Sequence, residues 1–410
     1  MRLVLSAALG TFILGTATIA AAHDRDHDHD KIVGYYTNWG IYNESHPYFV
    51  KNIATTGSAR RLTHINYAFA NVENNECSLT DSWADIERPA SAEESVDGVA
   101  DREDDDSLKG NFNQLRKLKK KYPHLKVMMS LGGWTLSAGF SNAALPENRR
   151  AFVKSCVDLI IKEPRWRRVF DGIDIDWEYP GLCGNSCEPG TARPEDKQNF
   201  TALLHEFRRQ LDRVDRRLLL TMAAGADQPM VDQLEVRKIS GILDWINLMT
   251  YDFHGDWETA TNFQSALYPA AGDPTRDQNF TADGTVRRFR AAGAPAHKLV
   301  LGVPFYGRGW MGVPDGRFGL FQESAGPAPG TEEEGAESYR VLKAKGYPQY
   351  YRADAQAGWL YKDGFFWTYD SPMMMTAKMR YIHAKGLGGV MFWELSNDTD
   401  DGELIRTLAR

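Results

Sequence analysis

Short apolar runs rich in β-branched residues alternate with longer amphipathic stretches from residue 31 onward. Strands that pair in parallel are buried on both faces and are joined by helices, so this alternation predicts an α/β fold with a parallel sheet. About eight strand–helix units that close on themselves form a (β/α)8 TIM barrel, which is the fold class we predict. The predicted strands are residues 32–36, 62–69, 125–131, 172–177, 218–224, 245–250, 299–304 and 388–393, and the predicted helices are residues 113–122, 148–161, 195–215, 285–292 and 371–385.

A doubly wound open sheet is the alternative arrangement of the same elements. Its nucleotide-binding version requires G-x-G-x-x-G after the first strand, and that motif does not follow residues 32–36.

Two segments interrupt the alternation of predicted strands and helices. Residues 82–107 are acidic and rich in Ala and Ser, and we predict that they form a long solvated loop. Residues 309–365, between the seventh and eighth predicted strands, are rich in Gly, Pro and aromatic residues.

The composition narrows the class of partner. The 410 residues are 42% hydrophobic, which suffices for one large barrel or two ordinary domains. The formal net charge of -7 argues against nucleic acid or an anionic membrane surface as a partner. The 11 Trp and 17 Tyr suit a carbohydrate ligand, whose flat C–H faces stack on aromatic rings, although such residues also fill ordinary cores.

Residues 1–22 have the pattern of a secretory signal peptide. Arg2 precedes an apolar stretch over residues 3–19, and Ala20, Ala21 and Ala22 provide an A-x-A cleavage site. We therefore predict a secreted, extracellular protein without a membrane anchor. Residues 23–30 are rich in His and Asp and predict a flexible tail, with adventitious metal binding as the alternative.

Four cysteines are compatible with export and do not require a disulfide scaffold. Cys183 and Cys187 lie in a Gly-rich segment, and we predict that they close a small ring. Cys77 and Cys156 are far apart in the sequence, and their spacing does not determine whether they pair.

Three carboxylates occupy alternate positions of one predicted strand. Asp174, Asp176 and Glu178 lie within D-G-I-D-I-D-W-E-Y-P, residues 171–180. Alternate side chains of a strand share a face, so the three would project together at intervals of roughly 6.6 Å. Neighbouring carboxylates favour protonation of at least one member, which is useful for acid–base chemistry. An exposed acidic strand face or a calcium site is the alternative interpretation.

This decapeptide resembles the catalytic signature of glycoside hydrolase family 18, which includes the chitinases. Four further motifs, each at a predicted strand end, resemble elements of the same family in the same chain order. The resemblance implies a bacterial-type chitinase on a TIM barrel over residues 31–410, with a small α+β insertion subdomain at 309–365. The motifs are Ser130-Leu-Gly-Gly-Trp134, Met249-Thr-Tyr-Asp-Phe253, Gly302-Val-Pro-Phe-Tyr-Gly-Arg308 and Val390-Met-Phe-Trp-Glu394.

The resemblance also implies a retaining reaction in which the substrate's own acetamido group attacks the anomeric carbon. Glu178 would be the general acid, with a pKa raised by a neighbouring carboxylate. Asp176 would orient the acetamido N–H, and Tyr251 would hold the acetyl oxygen. Asp174 would share a proton with Asp176.

The remaining family positions would bind sugar or support the carboxylates. Tyr35 and Ser130 would hold Asp174, and Trp393 would form the floor under the distorted sugar. Trp134 and Trp257 would stack on sugars beyond the cleaved bond. The Trp residues could instead be core residues, and Arg308 an ordinary ion-pair residue. The further expected lining residues are Met249, Tyr179, Asp252 and Arg308.

The expected substrates are chitin and chito-oligosaccharides, cleaved by a monomer without a metal or cofactor. Neither H-E-x-x-H nor C-x-x-C occurs in the sequence. Two other functions are compatible with the same fold. A chitin-binding lectin would typically lack the acid that Glu178 provides here. An endo-β-N-acetylglucosaminidase acting on N-linked glycans would share the carboxylates, but the aromatic residues favour a linear chitin chain.

Overall fold

The computed structural model describes residues 30–102, 106–331 and 333–409. The predicted signal peptide and all but the last residue of the predicted tail lie outside these ranges. None of the helices within the described residues is long and apolar enough to cross a membrane. Residues from Lys31 onward form one compact unit.

The described strands fall into two sheets, one parallel and one antiparallel. In chain order they are β1 (Lys31–Thr37), β2 (His64–Glu73), β3 (Glu76–Leu79), β4 (Lys126–Gly132), β5 (Gly172–Asp176), β6 (Leu219–Ala224), β7 (Trp245–Leu248), β8 (Leu299–Pro304), β9 (Tyr306–Met311), β10 (Gly326–Pro327), β11 (Ala336–Ser338), β12 (Gln349–Arg352), β13 (Ala357–Lys362), β14 (Phe365–Tyr369) and β15 (Gly389–Trp393).

Helices connect the parallel strands, as the pattern predicts. They are α1 (Val50–Thr55), α2 (Gly110–Lys121), α3 (Phe140–Ala143), α4 (Pro146–Cys156), α5 (Asp196–Val214), α6 (Gln228–Asp232), α7 (Val236–Ile242), α8 (Ala282–Ala291), α9 (Tyr339–Ala344), α10 (Pro372–Lys385) and α11 (Glu403–Leu408).

The parallel sheet closes into the predicted (β/α)8 barrel. Its strands follow the order β1, β2, β4, β5, β6, β7, β8 and β15, and β1 pairs in parallel with both β2 and β15. Side chains of β1 alternate between two layers, because successive residues of a strand point to opposite faces. Val33 and Tyr35 pack with Trp245 and Met391 in one buried cluster. The flanking Tyr36 belongs to the larger cluster that the helices also line.

The second sheet is antiparallel and lies, in chain order, between the seventh and eighth barrel strands. β9 is its central strand and pairs with β10, β11 and β14, and β13 and β12 follow outward from β14. The strands of this sheet begin at Tyr306 and end at Tyr369, and α9 lies among them. The division of the chain into a barrel and an insertion subdomain over residues 309–365 stays a prediction.

The expectation of a solvated loop over residues 82–107 is wrong for residues 84–96, several of which are buried. Asp85 has no exposed surface, and Ser95 and Val96 are also buried. Tyr67 donates a hydrogen bond to the Asp85 carboxylate, and the side-chain amide of Asn38 donates another at 3.3 Å. The acidic composition indicates solvent exposure only on average, whereas a single carboxylate with hydrogen-bond donors can anchor the segment in the core.

Both pairs of cysteines form disulfides. Cys183 and Cys187 close the predicted small ring, with Cα atoms 5.0 Å apart. Cys77 in β3 is joined to Cys156 at the end of α4. The second pairing depends on the hairpin that returns β3 next to this helix, which sequence spacing does not reveal.

Candidate active site

The carboxyl ends of the barrel strands bring the predicted site residues to one rim, as in other barrels of this class. β5 supplies Asp174 and Asp176, whose side chains are buried. The strand ends at Asp176, one residue before its predicted end at Trp177, so Glu178 lies two residues beyond the strand rather than on its face with the two aspartates. Glu178 is partly exposed, which gives a solvent-borne ligand access to its carboxyl group.

Asp174 is the most heavily hydrogen-bonded of the three carboxylates. One oxygen accepts from the hydroxyls of Tyr35 at 2.9 Å and Ser130 at 2.8 Å, the two contacts that the family resemblance implied. The other oxygen accepts from Thr221 and, at 3.3 Å, from the side-chain amide of Asn247. Burial raises the pKa of Asp174, and these four donors oppose that rise. The network holds the carboxylate in one orientation.

Asp176, in contrast to Asp174, has a carboxyl oxygen that receives no hydrogen bond from the described residues. This atom, Oδ1, is buried. Burial, and then the charges of Glu178 and Asp174, raise the pKa of Asp176 well above its ordinary value. A buried carboxyl oxygen without a partner costs free energy, so the site offers an acceptor to an incoming N–H or O–H group.

Glu178 is held through its backbone. Its N–H donates to the Ser137 hydroxyl oxygen at 2.9 Å, and the same hydroxyl donates to the backbone carbonyl of Gly133 at 2.9 Å. Burial raises the pKa of Glu178 to about 7; a hydrogen bond with Tyr179 opposes the rise, and the charge of Asp252 adds to it. The pKa of Glu178 is therefore raised, as predicted, but the main cause is burial rather than a neighbouring carboxylate.

Glu178 lies between two pockets. One encloses about 390 Å³ and is lined by Glu178, Tyr179, Met249, Tyr251 and Asp252, together with residues 225–227, Met230 and Phe253. The Tyr251 hydroxyl points to the sulfur of Met391 at 3.7 Å, a weak contact that leaves the hydroxyl available to donate to a stronger acceptor. The other pocket encloses about 280 Å³ and contains Trp134.

Arg308 pairs with three carboxylates. Its Nε donates to Asp252 at 2.8 Å, and its Nη1 donates to Glu333 at 3.1 Å and to Asp256 at 3.3 Å. The guanidinium also lies 5.2 Å from the ring centre of Trp257. These contacts match the alternative interpretation of Arg308 as an ion-pair residue, and its predicted contact with sugar stays a prediction.

The predicted aromatic residues differ in exposure. Trp393 is partly buried and stacks on Phe69, with ring centres 5.8 Å apart and planes inclined by 16°. Trp134 and Trp257 are 51% and 57% exposed, so neither is a core residue. Trp39, which the sequence analysis did not select, is 47% exposed and lies 6.3 Å from Trp393.

Several residues of this rim escaped the sequence analysis. Thr221 and Asn247 bond Asp174, Ser137 bonds the Glu178 backbone, and Tyr306 donates to Asp252 at 2.7 Å. Thr221 and Asn247 are polar residues within apolar strands, and that exception to the pattern could have indicated them. Ser137 lies in a loop, where its position gives no comparable signal.

The family model for glycosyl hydrolases family 18 matches residues 31–398. The chain belongs to this family. It is 43% identical over 380 residues to Chitinase C of Streptomyces lividans, covering 91% of this chain and 58% of the relative. It is 38% identical over 450 residues to Chitinase A1 of Niallia circulans, covering 97% of this chain and 60% of the relative. The chain thus spans about three-fifths of the length of these curated relatives.

Solved structures resemble the whole barrel. The catalytic domain of psychrophilic chitinase B from Arthrobacter TAD20 has a TM-score of 0.87 and 36% identity, covering 93% of this chain and 95% of that one. A family 18 N-acetylglucosaminidase from Paenibacillus barengoltzii has a TM-score of 0.73 and 31% identity, covering 93% and 99%. The fold prediction is confirmed.

Proposed function

We propose that this chain is a chitinase that hydrolyses β-1,4 bonds between N-acetylglucosamine units of chitin and chito-oligosaccharides. The configuration at the anomeric carbon is retained, and the nucleophile of the first step is the acetamido group of the substrate. The names of the relatives at 43% and 38% identity support the substrate class. The proposed mechanism rests on the site residues.

One observation carries the proposal. Among the described residues, one buried oxygen of Asp176 accepts no hydrogen bond, and the hydroxyl of Tyr251 has only a weak sulfur acceptor. An acetamido group supplies both missing partners, because its N–H donates and its carbonyl oxygen accepts. A plain hydroxyl group at the same position of the sugar has no carbonyl oxygen for the tyrosine.

In the first step the Glu178 carboxyl proton moves to the glycosidic oxygen, and the bond from that oxygen to the anomeric carbon breaks with its electron pair. The acetamido carbonyl oxygen forms a bond to the same carbon, which produces an oxazolinium ion. Asp176 accepts the acetamido N–H and stabilises the positive charge, while Tyr251 donates to the acetyl oxygen.

In the second step a water oxygen bonds to the anomeric carbon as the Glu178 carboxylate takes a proton from that water. The bond between the anomeric carbon and the acetamido oxygen breaks with its electron pair, which restores the acetamido group. A pKa near 7 suits both roles, since Glu178 must be protonated first and ionised next. The charge of Asp174 raises the pKa of Asp176 and so favours its protonated form.

The test is the anomeric course of chitohexaose cleavage, followed by time-resolved proton NMR. We expect β-anomeric products before mutarotation, and we expect Glu178→Gln to lower turnover by about 10²- to 10⁴-fold while it retains oligosaccharide binding. Glu188→Gln is the matched control, because Glu188 is exposed. Early α-anomeric products would refute the retaining mechanism, and intact chitohexaose that nevertheless binds would favour the lectin.

We also propose that the protein is exported. Two disulfides, Cys77–Cys156 and Cys183–Cys187, support this, because such bonds persist in oxidising compartments. Expression of the full chain followed by N-terminal sequencing of the extracellular protein tests it. A mature N-terminus after Ala22 is expected, and retention of residues 1–22 inside the cell would contradict the proposal.

A further inference from the structure

A ring of five residues closed by a disulfide forms part of the pocket on the Trp134 side of Glu178. The Cys183–Cys187 bond encloses Gly184, Asn185 and Ser186, and all three enclosed residues line this pocket. We refer to residues 181–193 as the ring loop.

The ring loop packs directly on the backbone of the proposed general acid. A Cβ atom added to Gly184 would lie 2.0 Å from the carbonyl oxygen of Glu178, so only glycine allows this approach. The backbone N–H of Leu182 donates to the carbonyl of Tyr179 at 3.2 Å. The wall formed by the ring therefore begins next to the backbone of the residue that would donate the proton.

The other end of the ring loop is anchored by a buried carboxylate at the start of α5. Asp196 accepts from the backbone N–H groups of Gly181 at 3.3 Å and Arg193 at 2.8 Å, and from the Ser141 hydroxyl at 2.8 Å. Within the loop, the Thr191 hydroxyl donates to the carbonyl of Glu188 at 2.9 Å. The loop is thus held at both ends and closed in the middle.

The polar groups of this ring face the pocket without strong internal partners. The side chain of Asn185 is exposed and makes no hydrogen bond with the part of the chain that the structure describes. Ser186 accepts from the backbone N–H of Glu188 at 3.3 Å, which leaves its own O–H free to donate. Opposite groups in the same pocket are Trp134 and Thr135. An aromatic face with amide and hydroxyl groups around it is typical of a sugar site.

Glu178 lines both pockets, so the two sugars joined by the bond that it would protonate would lie in different pockets. The sugar whose acetamido group attacks needs Tyr251, which lines the larger pocket and not the smaller one. The family resemblance already implies that Trp134, in the smaller pocket, stacks on a sugar beyond the cleaved bond. We infer that Asn185 and Ser186, positioned by the Cys183–Cys187 ring, hydrogen-bond that leaving-group sugar. This inference rests on the proposed function.

Comparing two substrates distinguishes binding of the leaving-group sugar by Asn185 from a general effect on catalysis. Chitotetraose places a sugar in the leaving-group position, whereas 4-nitrophenyl N,N′-diacetylchitobioside places an aryl group there when nitrophenolate leaves. We expect Asn185→Ala to lower kcat/KM for chitotetraose by about five-fold, the loss expected for one hydrogen bond. Release of nitrophenolate and the melting temperature should be unchanged, and Glu188→Gln should match the wild type on both substrates.

Opening the ring provides a second, independent variant. The double variant Cys183→Ser, Cys187→Ser keeps Asn185 but opens the ring that positions it. Its kcat/KM for chitotetraose should therefore be lower than that of the wild type, while its release of nitrophenolate should be unchanged. Equal losses on both substrates, or no loss with chitotetraose in either variant, would overturn the inference. A wild-type protein that cleaves neither substrate would instead overturn the proposed function, and with it this inference.

Discussion

Replacing Glu178 with glutamine should stabilise the fold at high pH while it removes activity. The pKa of Glu178 is about 7 in the folded protein, against an ordinary value of 4.5. At full burial that difference corresponds to about 3 kcal/mol of folding free energy. Because the side chain is partly exposed, we expect about 1–3 kcal/mol.

The sign of the effect follows from the two protonation states. Below pH 4.5 the carboxyl is protonated in both the folded and the unfolded chain, so it does not alter stability. Between pH 4.5 and 7 the unfolded chain ionises first, which favours unfolding, and above pH 7 the loss is complete. Glu178 also raises the pKa of Asp176, so removing its charge eases the ionisation of Asp176, and this contribution has the same sign.

The assay is denaturant unfolding of the wild type and Glu178→Gln at pH 4 and at pH 8.5. The variant should gain stability relative to the wild type between the two pH values, by about 1–3 kcal/mol. Glu188→Gln, at an exposed position, should show no such gain. An equal difference between Glu178→Gln and wild type at both pH values would refute the assignment of a raised pKa to Glu178.

Three further predictions address other parts of the molecule. The kcat/KM of the wild type for chitotetraose should fall above about pH 7, as Glu178 loses its proton; a flat profile to pH 9 would contradict its role as acid. Burial raises the pKa of Asp85 to about 7, so the free energy of unfolding should fall by up to about 4 kcal/mol between pH 4 and 8.5. Asp85→Asn should remove that part of the pH dependence, and an unchanged slope would show that Asp85 ionises normally. Trp393→Ala should raise KM and lower kcat for chitotetraose, because the ring stacked on Phe69 is the expected floor for the sugar; unaffected kinetics would make Trp393 a core residue.

The barrel strands could be predicted from the sequence because each one forms a continuous apolar run. Each barrel strand is an apolar run of four to ten residues, and the structure places all eight where the pattern predicts them to within four residues at each end. The long helix α5 begins and ends one residue inside its predicted bounds. The short helices α1 and α7 were missed, since six or seven residues carry too little periodicity to indicate a helix.

The site residues that lie close together in the sequence could be predicted from their spacing. Those that come from several different strands could not be predicted in this way. Asp174, Asp176 and Glu178 follow one another in the sequence, and their spacing indicates a shared face. The donors to Asp174 come from other strands, and the predicted ones, Tyr35 and Ser130, depended on family resemblance.

Sequence alone was enough to predict the order of the eight barrel strands and the longer helices, the acidic strand end and the aromatic residues that could contact sugar. These features depend on local periodicity and on residue type, which are present in the chain before it folds. Three features required the folded chain: Asp176 has an oxygen that accepts no hydrogen bond from the described residues, Arg308 pairs with three carboxylates, and the ring loop contacts the backbone of Glu178. Burial and hydrogen-bond partners depend on segments far apart in the sequence, so no pattern within one segment contains them.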